Sequence, residues 1–420
     1  MSAKIIRRNQ KSITIEVEIP ITNSMLTGEE LIQKALNQAG AEATGYLLSQ
    51  FDTDGSAIKV SNETYSCKGK VPKAYQTPYG EITIERNVYQ NNYGGKTYCP
   101  LEEEARVLVG STPKFAKMVS SKYSNAGAKR VQNDLKDNHS RYISCSFIQD
   151  ISEAVKETIK EKDEKWEYTI PIPKEDVKTI SISLDGTCLL MAEGGYRQAM
   201  VGTISLYDKK GERLHTQYTS APPEYGKSQF INEFTKEINH IKKLYPNKKS
   251  VGIADGAKDN WLFLEQHSQN QVLDYYHASE YLTIASENGF RKKDESKKWL
   301  DDACHTLKYE ENGASDILKE LKMFRKKKIS PTKMDKIEKS ITYFENHIHQ
   351  MDYYTYQKKH FPIGSGVVEA ACKVIIKQRL GNSGMKWKNN GAETVLCLRC
   401  FNYSDGKWGQ LWDKISKYGI

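Results

Sequence analysis

The stretch between residues 177 and 275 constrains the fold more than any other part of the chain. VKTISISLDGTCLLMAEGG and RQAMVGTISLYDKKGERLHTQYTSA read as three short apolar strands separated by Gly-rich or charged turns. SQFINEFTKEINHIKKLY then has helical spacing, and it is followed by an apolar strand SVGIAD, a helix KDNWLFLEQH and a strand QVLDYY. Three antiparallel strands, then helix, strand, helix and strand, form an α/β layer arrangement. Residues 277–360 are almost wholly helical and polar, and an apolar helix resumes at Gly364-Ser365-Gly366. The helical block therefore reads as an insertion into the α/β core.

Upstream, SITIEVEIPI alternates like a strand and GEELIQKALNQAGAEATGYLLSQF has the i, i+3, i+4 spacing of a helix. YGEITIERNVYQNNYGGKTY predicts two strands around an Asn-Asn-Tyr-Gly-Gly turn. Residues 101–165 are helical, with turns at Asn125-Ala126-Gly127 and around Asn138. A helix-turn-helix-like DNA reader and an ordinary helical domain both fit that pattern. The charge run KETIKEKDEKWEY ends at the prolines of PIPKED, a boundary signal. The expected organisation is a strand-helix region (1–60), a β-hairpin region (61–104), a helical region (105–170), an α/β core (177–289 and 361–380), a helical insertion (290–360) and a basic, aromatic C-terminal segment (381–420).

A length of 420 residues suggests two or three domains. Lys plus Arg is 62 against 53 for Asp plus Glu, a net charge of +9 that favours phosphate-rich partners without deciding the matter. No run approaches the roughly 18 apolar residues of a membrane helix, and none follows the basic N-terminal residues as a secretory signal requires. The expectation is a soluble, cytoplasmic chain. Eight scattered cysteines suit a reducing compartment. Cys397-x-x-Cys400 lacks a second pair and reads as apolar positions on a helix face rather than zinc ligands.

Two carboxylates sit where chemistry in an α/β sheet usually sits. Asp185 closes ISISLD and Asp255 closes VGIAD, each followed by Gly. Asp-Gly is also plain turn chemistry, so either residue alone says little. Glu369 lies one turn into the helix opened by Pro362-Ile363-Gly364-Ser365-Gly366, where Ser365 is a good N-cap and a first-turn Glu also complements the helix dipole. Three carboxylates from separate elements suit a hard divalent cation such as Mg²⁺ or Mn²⁺. Two such ions about 4 Å apart would serve in-line phosphoryl displacement. SLDGT also evokes the DxDGT loop of haloacid-dehalogenase-like phosphatases, but Ser183 stands where their nucleophilic Asp is needed.

Through KAYQTPYGEITIERNVYQ, YCPLEEEARVLVGSTPKFAKM, ISLDGT, EYGK, VGIADGAKDNW, VLDYYHASEYL, ITYFENH, IGSGVVEAACK and KQRLGNSGMKWK, the chain resembles the DDE transposases, and among them the bacterial insertion-sequence transposases of the ISKra type. GSGVVEAACK and DGAKDNW are the most specific of these blocks. The resemblance implies an RNase H-like core, a mixed sheet with helices on both faces, interrupted by the helical insertion and preceded by a DNA-binding region. It implies Asp185, Asp255 and Glu369 as the catalytic, metal-holding triad, spaced 70 and 114 residues apart. It implies a homo-oligomer on double-stranded DNA, with element terminal repeats and target DNA as substrates, in a bacterial cytoplasm.

Asp274 and His277 in QVLDYYH resemble the (C/D)xxH signature of Mutator-like transposases. They would stand just outside the metal site and orient a ligand or bond the scissile strand. A strand-ending Asp and a helix-opening His are the equal alternative. Lys373 and Lys377 follow Glu369 at +4 and +8 on one helix face, and with Lys258, Arg379, Lys386 and Lys388 they fit a DNA path. Trp387, between two lysines, could stack a base. Trp299 is a weaker stacking candidate, and His347 and His349 alternate and do not form a ligand pair. The function expected is metal-dependent phosphodiester hydrolysis and strand transfer. A nuclease or resolvase that cuts without joining, and a non-catalytic DNA-binding derivative, are the alternatives.

Overall fold

The computed structural model describes residues 3–9, 11–171, 173, 175–223 and 227–420, so residues 224–226 of the EYGK segment lie outside the described residues. The chain divides into two units, residues 1–169 with 406–420, and residues 170–405. The division falls beside PIPKED. It also splits the segment 381–420, because the helix Lys407–Tyr418 belongs to the first unit. There the Gln410 side chain accepts from Thr169 N at 2.8 Å and donates to Thr169 O at 2.7 Å, as a strand neighbour would.

In the first unit β1 (Ala3–Arg8) and β2 (Ile13–Val17) pair antiparallel, and α1 (Met25–Ser49) begins where Ser24 accepts from Thr27 N. β3 (Ile58–Val60), β4 (Glu63–Gln76) and β5 (Glu81–Asn91) form an antiparallel sheet. The strand predicted after Asn-Asn-Tyr-Gly-Gly shrinks to one bridge between Tyr89 and Tyr98, because Pro100 already opens α2 (Pro100–Glu104); β5 pairs with the upstream β4 instead. α3 (Pro113–Asn125), a two-residue turn, α4 (Ala128–His139) and α5 (Cys145–Lys162) then pack around Phe115, Val119, Leu135, Ile148 and Val155.

In the second unit β6 (Thr179–Leu190), β7 (Tyr196–Tyr207) and β8 (Arg213–Ala221) form an antiparallel meander. α6 (Ser228–Leu244) leads to β9 (Lys249–Ala254), parallel to β6, and α7 (Lys258–His267) leads to β10 (Asn270–Leu273), parallel to β9. The order is β10-β9-β6-β7-β8. Residues 179–184 of the central β6 are all buried, as a strand covered on both faces requires. Gly202 of β7 makes room for the Phe234 ring of α6, since a Cβ there would stand 2.6 Å from it. Its cross-strand partner Leu184 shares that face, so Asp185 points to the other.

The helical block comprises α8 (Tyr275–Gly289), α9 (Lys293–Tyr309), α10 (Gly313–Met323), α11 (Pro331–His347) and α12 (Tyr353–Lys358). It is continuous with the core rather than an appendage. Ile337, Ile341 and Phe344 belong to one apolar cluster with Val272 and Leu273, and the Tyr353 and Tyr356 hydroxyls donate to Leu273 O and Gln271 O at 3.0 Å each. The edge strand β10 is thereby covered. Trp299 packs on Phe290 and Phe324 and donates to Glu320 at 2.8 Å, so it anchors the block instead of offering a face to a base. After the block come α13 (Gly366–Ala371), a π-helical turn (Cys372–Lys377), α14 (Gln378–Leu380) and α15 (Asn389–Tyr403). No helix among the described residues is long and apolar enough to cross a membrane.

Candidate active site

Parallel pairing of β6 with β9 runs to Ser183 and Ile253, and that of β9 with β10 runs to Ala254 and Leu273. Asp185 and Asp255 each stand two residues beyond their paired neighbours, and Asp274 follows Leu273. Asp255 and Asp274 therefore end adjacent strands at one level, about 4.8 Å apart. Asp185 stands level with Asp255 but does not close its strand as the sequence suggests: β6 runs on to Leu190 because its antiparallel partner β7 keeps pairing past the Asp-Gly step, with Asp185 opposite Val201. Glu369 comes from α13, on the side of the sheet that Asp185 faces. The thiol of Cys372, one turn after Glu369, lies 3.5 Å from Asp185 Oδ2. Burial pushes that thiol's pKa well up, and the negative charges of Asp185 and Glu369 add to the effect. It stays protonated and donates to Asp185.

Asp255 is half-buried, and its Oδ1 accepts from Ala257 N at 3.2 Å across a turn whose Gly256 has φ +107°. The helical block seats this turn: Tyr343 donates to Asp255 O at 2.9 Å, stacks on Tyr281 at 3.7 Å and lies beside His347. A side chain on Gly256 would meet both rings, with Tyr343 at 3.1 Å and His347 Nε2 at 3.3 Å. His347 thus reaches the site although it makes no ligand pair with His349.

Asp274 is fully buried. One oxygen accepts from Tyr276 N at 2.6 Å and caps α8; the other accepts from Ser365 N at 3.0 Å and from the Ser365 hydroxyl. Ser365 begins α13, but its hydroxyl does not cap that helix as the sequence suggests. It lies between Asp274 and Glu369 instead, 2.5 Å from Glu369 Oε1. His277 Nδ1 stands 3.3 Å from Glu280. Asp274, His277 and Glu369 each offer a ligand atom within 4.8 Å of the others, a donor set of two carboxylates and an imidazole. Asp185 and Asp255 are not part of that group, so the expected triad is brought to one sheet edge without closing into a single ligand cluster.

The expected DNA path divides in two. Lys258, Lys373, Lys377, Lys386 and Lys388 are exposed. Across Cys372–Lys377 the helix is π-form, so the 3.6-residue count that put Lys373 and Lys377 on the Glu369 face does not hold there. Arg379 is only 2% exposed and lies over the Trp387 ring at 5.2 Å, which removes it from an open phosphate path. Trp387 is committed as well: its Nε1 donates to Leu380 O at 2.9 Å, and its backbone bonds Leu190 O and Ala192 N at the end of β6. Sequence reasoning missed Arg399. It is buried on α15 and donates to the Val374 and Ile375 carbonyls of the π-turn, which no linear pattern reveals. Ser365 was within reach, because it lies four residues before Glu369 and so on the same helix face. Cys400 is buried on α15, where its thiol and the Ser220 hydroxyl of β8 share a hydrogen bond at 3.0 Å. Compared with known proteins, the chain matches no family model and no curated protein.

Proposed function

We propose that this chain is a DNA transposase with an RNase H-like core, which hydrolyses a phosphodiester at the ends of its element and joins the freed 3′-hydroxyl to target DNA. The observation that carries the reading is the level placement of Asp185 and Asp255 on neighbouring parallel strands, Asp185 where β6 outruns its pairing with β9 and Asp255 just past the end of β9, with Glu369 on the helix that covers the same face. A mixed sheet with an antiparallel meander and two parallel strands, followed by a helical block before the Glu helix, supports the fold part of the reading. Asp185, Asp255 and Glu369 would hold Mg²⁺ or Mn²⁺, which supplies Lewis-acid stabilisation of the attacking and leaving oxygens. Cys372 steadies Asp185 without adding charge. Ser365 ties Glu369 to Asp274, and Asp274 in turn fixes the start of α8, which carries His277 toward the scissile strand. The exposed lysines hold backbone phosphates of the duplex.

The test uses a duplex carrying the inverted repeats that flank the gene. Wild-type protein nicks it at the element end and transfers the strand in Mg²⁺ or Mn²⁺, and chelator stops both steps. Asp185→Ala, Asp255→Ala and Glu369→Ala each bind the duplex and cleave nothing. Full activity in any one of them, or in chelator, overturns the reading. Cleavage without joining assigns a nuclease, and binding without cleavage by the wild type assigns a non-catalytic DNA-binding protein.

A further inference from the structure

We propose that Tyr276 is the base-stacking platform of the site: its ring takes up the nucleobase beside the scissile phosphodiester once that base has left the duplex. The inference rests on the DNA reading above and adds a residue to it. The two tryptophans that the sequence offers for stacking are both spent on packing, Trp299 on Phe290 and Phe324, and Trp387 on Leu380 O and the Arg379 guanidinium. Another aromatic must serve. Among the described residues of the second unit the exposed tyrosines are Tyr196, Tyr276, Tyr309 and Tyr403, and Tyr276 stands at the carboxylates, two residues after Asp274.

The ring is held in place from two sides. Tyr276 N donates to Asp274 Oδ1 at 2.6 Å, which fixes the start of the side chain in the first turn of α8. Residues 363–365 run along that turn, because Tyr275 N donates to Ile363 O at 2.9 Å and Ser365 N donates to Asp274 Oδ2 at 3.0 Å. Gly364 lies between these bonds. A Cβ on it would stand 3.1 Å from Tyr276 Cε2 and 3.2 Å from Cδ2, so the missing side chain is what lets the ring rest on the backbone. The Tyr275 ring meets it edge-on, with centroids 5.7 Å apart and planes at 74°. Even so, Tyr276 is 65% exposed. An ordered ring with an open side accepts any base, since every base has a π-face, but a base inside a duplex is covered by its neighbours and must first be extruded. The place of the platform selects the base. Gly364 adjoins Ser365, whose hydroxyl touches Glu369, so ring and carboxylate are mounted on the same few residues, and a nucleotide stacked on Tyr276 keeps its phosphate beside Glu369.

The test combines one change in the protein with one in the DNA. The full chain cleaves the element-end duplex in Mg²⁺, either intact or with an abasic site at the nucleotide on one side or the other of the scissile phosphate. On the intact duplex Tyr276→Ala lowers kcat/KM for cleavage about 5- to 150-fold, the rate equivalent of one base-stacking contact. At one of the two abasic positions Tyr276→Ala and the wild type cut equally fast, because no base is left to stack. Tyr276→Phe keeps the ring and restores cleavage of the intact duplex to within about twofold. A wild type that cuts no duplex removes the DNA reading and this inference together. Where the wild type cuts, three results overturn the inference alone. They are a Tyr276→Ala protein as fast as the wild type on the intact duplex, the same loss on both abasic duplexes as on the intact one, and a Tyr276→Phe protein as slow as Tyr276→Ala, which would make the hydroxyl the contact group instead of the ring.

Discussion

Asp255 and Asp274 stand level on neighbouring strands and are the same residue type, yet their surroundings are opposite. Asp255 is half-buried and accepts from Ala257 N in its own turn, and Tyr343 holds that turn through the main-chain carbonyl rather than the carboxylate. Asp274 is fully buried and takes donors from Tyr276, Ser365 N and the Ser365 hydroxyl. The difference comes from the chain just beyond each strand. After Asp255 comes a glycine with positive φ and an open turn; after Asp274 a helix begins at once and needs a cap. A carboxylate filled with donors in the interior is a structural group, whereas one with lone pairs to spare at a sheet edge is free to take a cation. The metal-type cluster of Asp274, His277 and Glu369 belongs between these extremes, since Glu369 and His277 are accessible and Asp274 is already engaged.

Asp274→Ala gives the largest stability contrast. It leaves Ser365 N without its acceptor and removes the α8 cap on Tyr276 N, so it should cost about 2–4 kcal/mol, or roughly 5–15 °C in Tm. Asp255→Ala should leave the Tm within about 2 °C while abolishing cleavage. Thermal melts of the two variants decide; a stable Asp274→Ala protein would erase the distinction.

His277→Ala should lower cleavage about 10- to 100-fold at unchanged Tm, the range for a group acting just outside a metal site. Complete loss would instead make His277 a ligand alongside Glu369, and no change would leave it a surface partner of Glu280. Tyr343→Phe removes one hydrogen bond to the Asp255 turn, worth about 0.5–1.5 kcal/mol, and should slow cleavage about 2- to 12-fold without changing substrate affinity. An unaltered rate would show that the turn seats itself.

The smallest effect separates lysine from arginine on the helix after Glu369. Lys373→Ala should flatten the slope of log affinity for DNA against log salt by about one. Arg379→Ala should leave the slope alone and lower the Tm, because its guanidinium packs on Trp387 inside the protein. Equal slope changes in both would return Arg379 to the phosphate path.

Apolar periodicity alone places β6 to β10 and the helices between them in order, because burying an apolar stripe dictates the local period. The same reading finds Asp255 and Asp274 as strand-ending carboxylates and Glu369 as a first-turn one, but it ends β6 too early at Asp185, since the pairing with β7 that carries the strand on to Leu190 is not local. Misreadings came where a local signal had a distant competitor. Trp387 between two lysines looks like an exposed stacking platform, but the end of β6 offers backbone partners to its loop. Ser365 looks like a helix cap, but a buried carboxylate lies closer to its hydroxyl than the α13 backbone amides do.

The sequence by itself determined the order of strands and helices from residue 177 to the Glu369 helix, which acidic residues fall near their ends, and that the chain carries an excess of positive charge. Only the tertiary structure decided which aspartate is filled with donors and which is left available, that Tyr343 and His347 of the helical block reach the Asp255 turn, and that Arg379 and Trp387 are spent on packing. The physical reason is range. Periodicity and capping are interactions of residues within a few positions of each other, whereas burial and hydrogen-bond satisfaction depend on groups such as Ser365 and Asp274, 91 residues apart, that meet only when the sheet and its helices close.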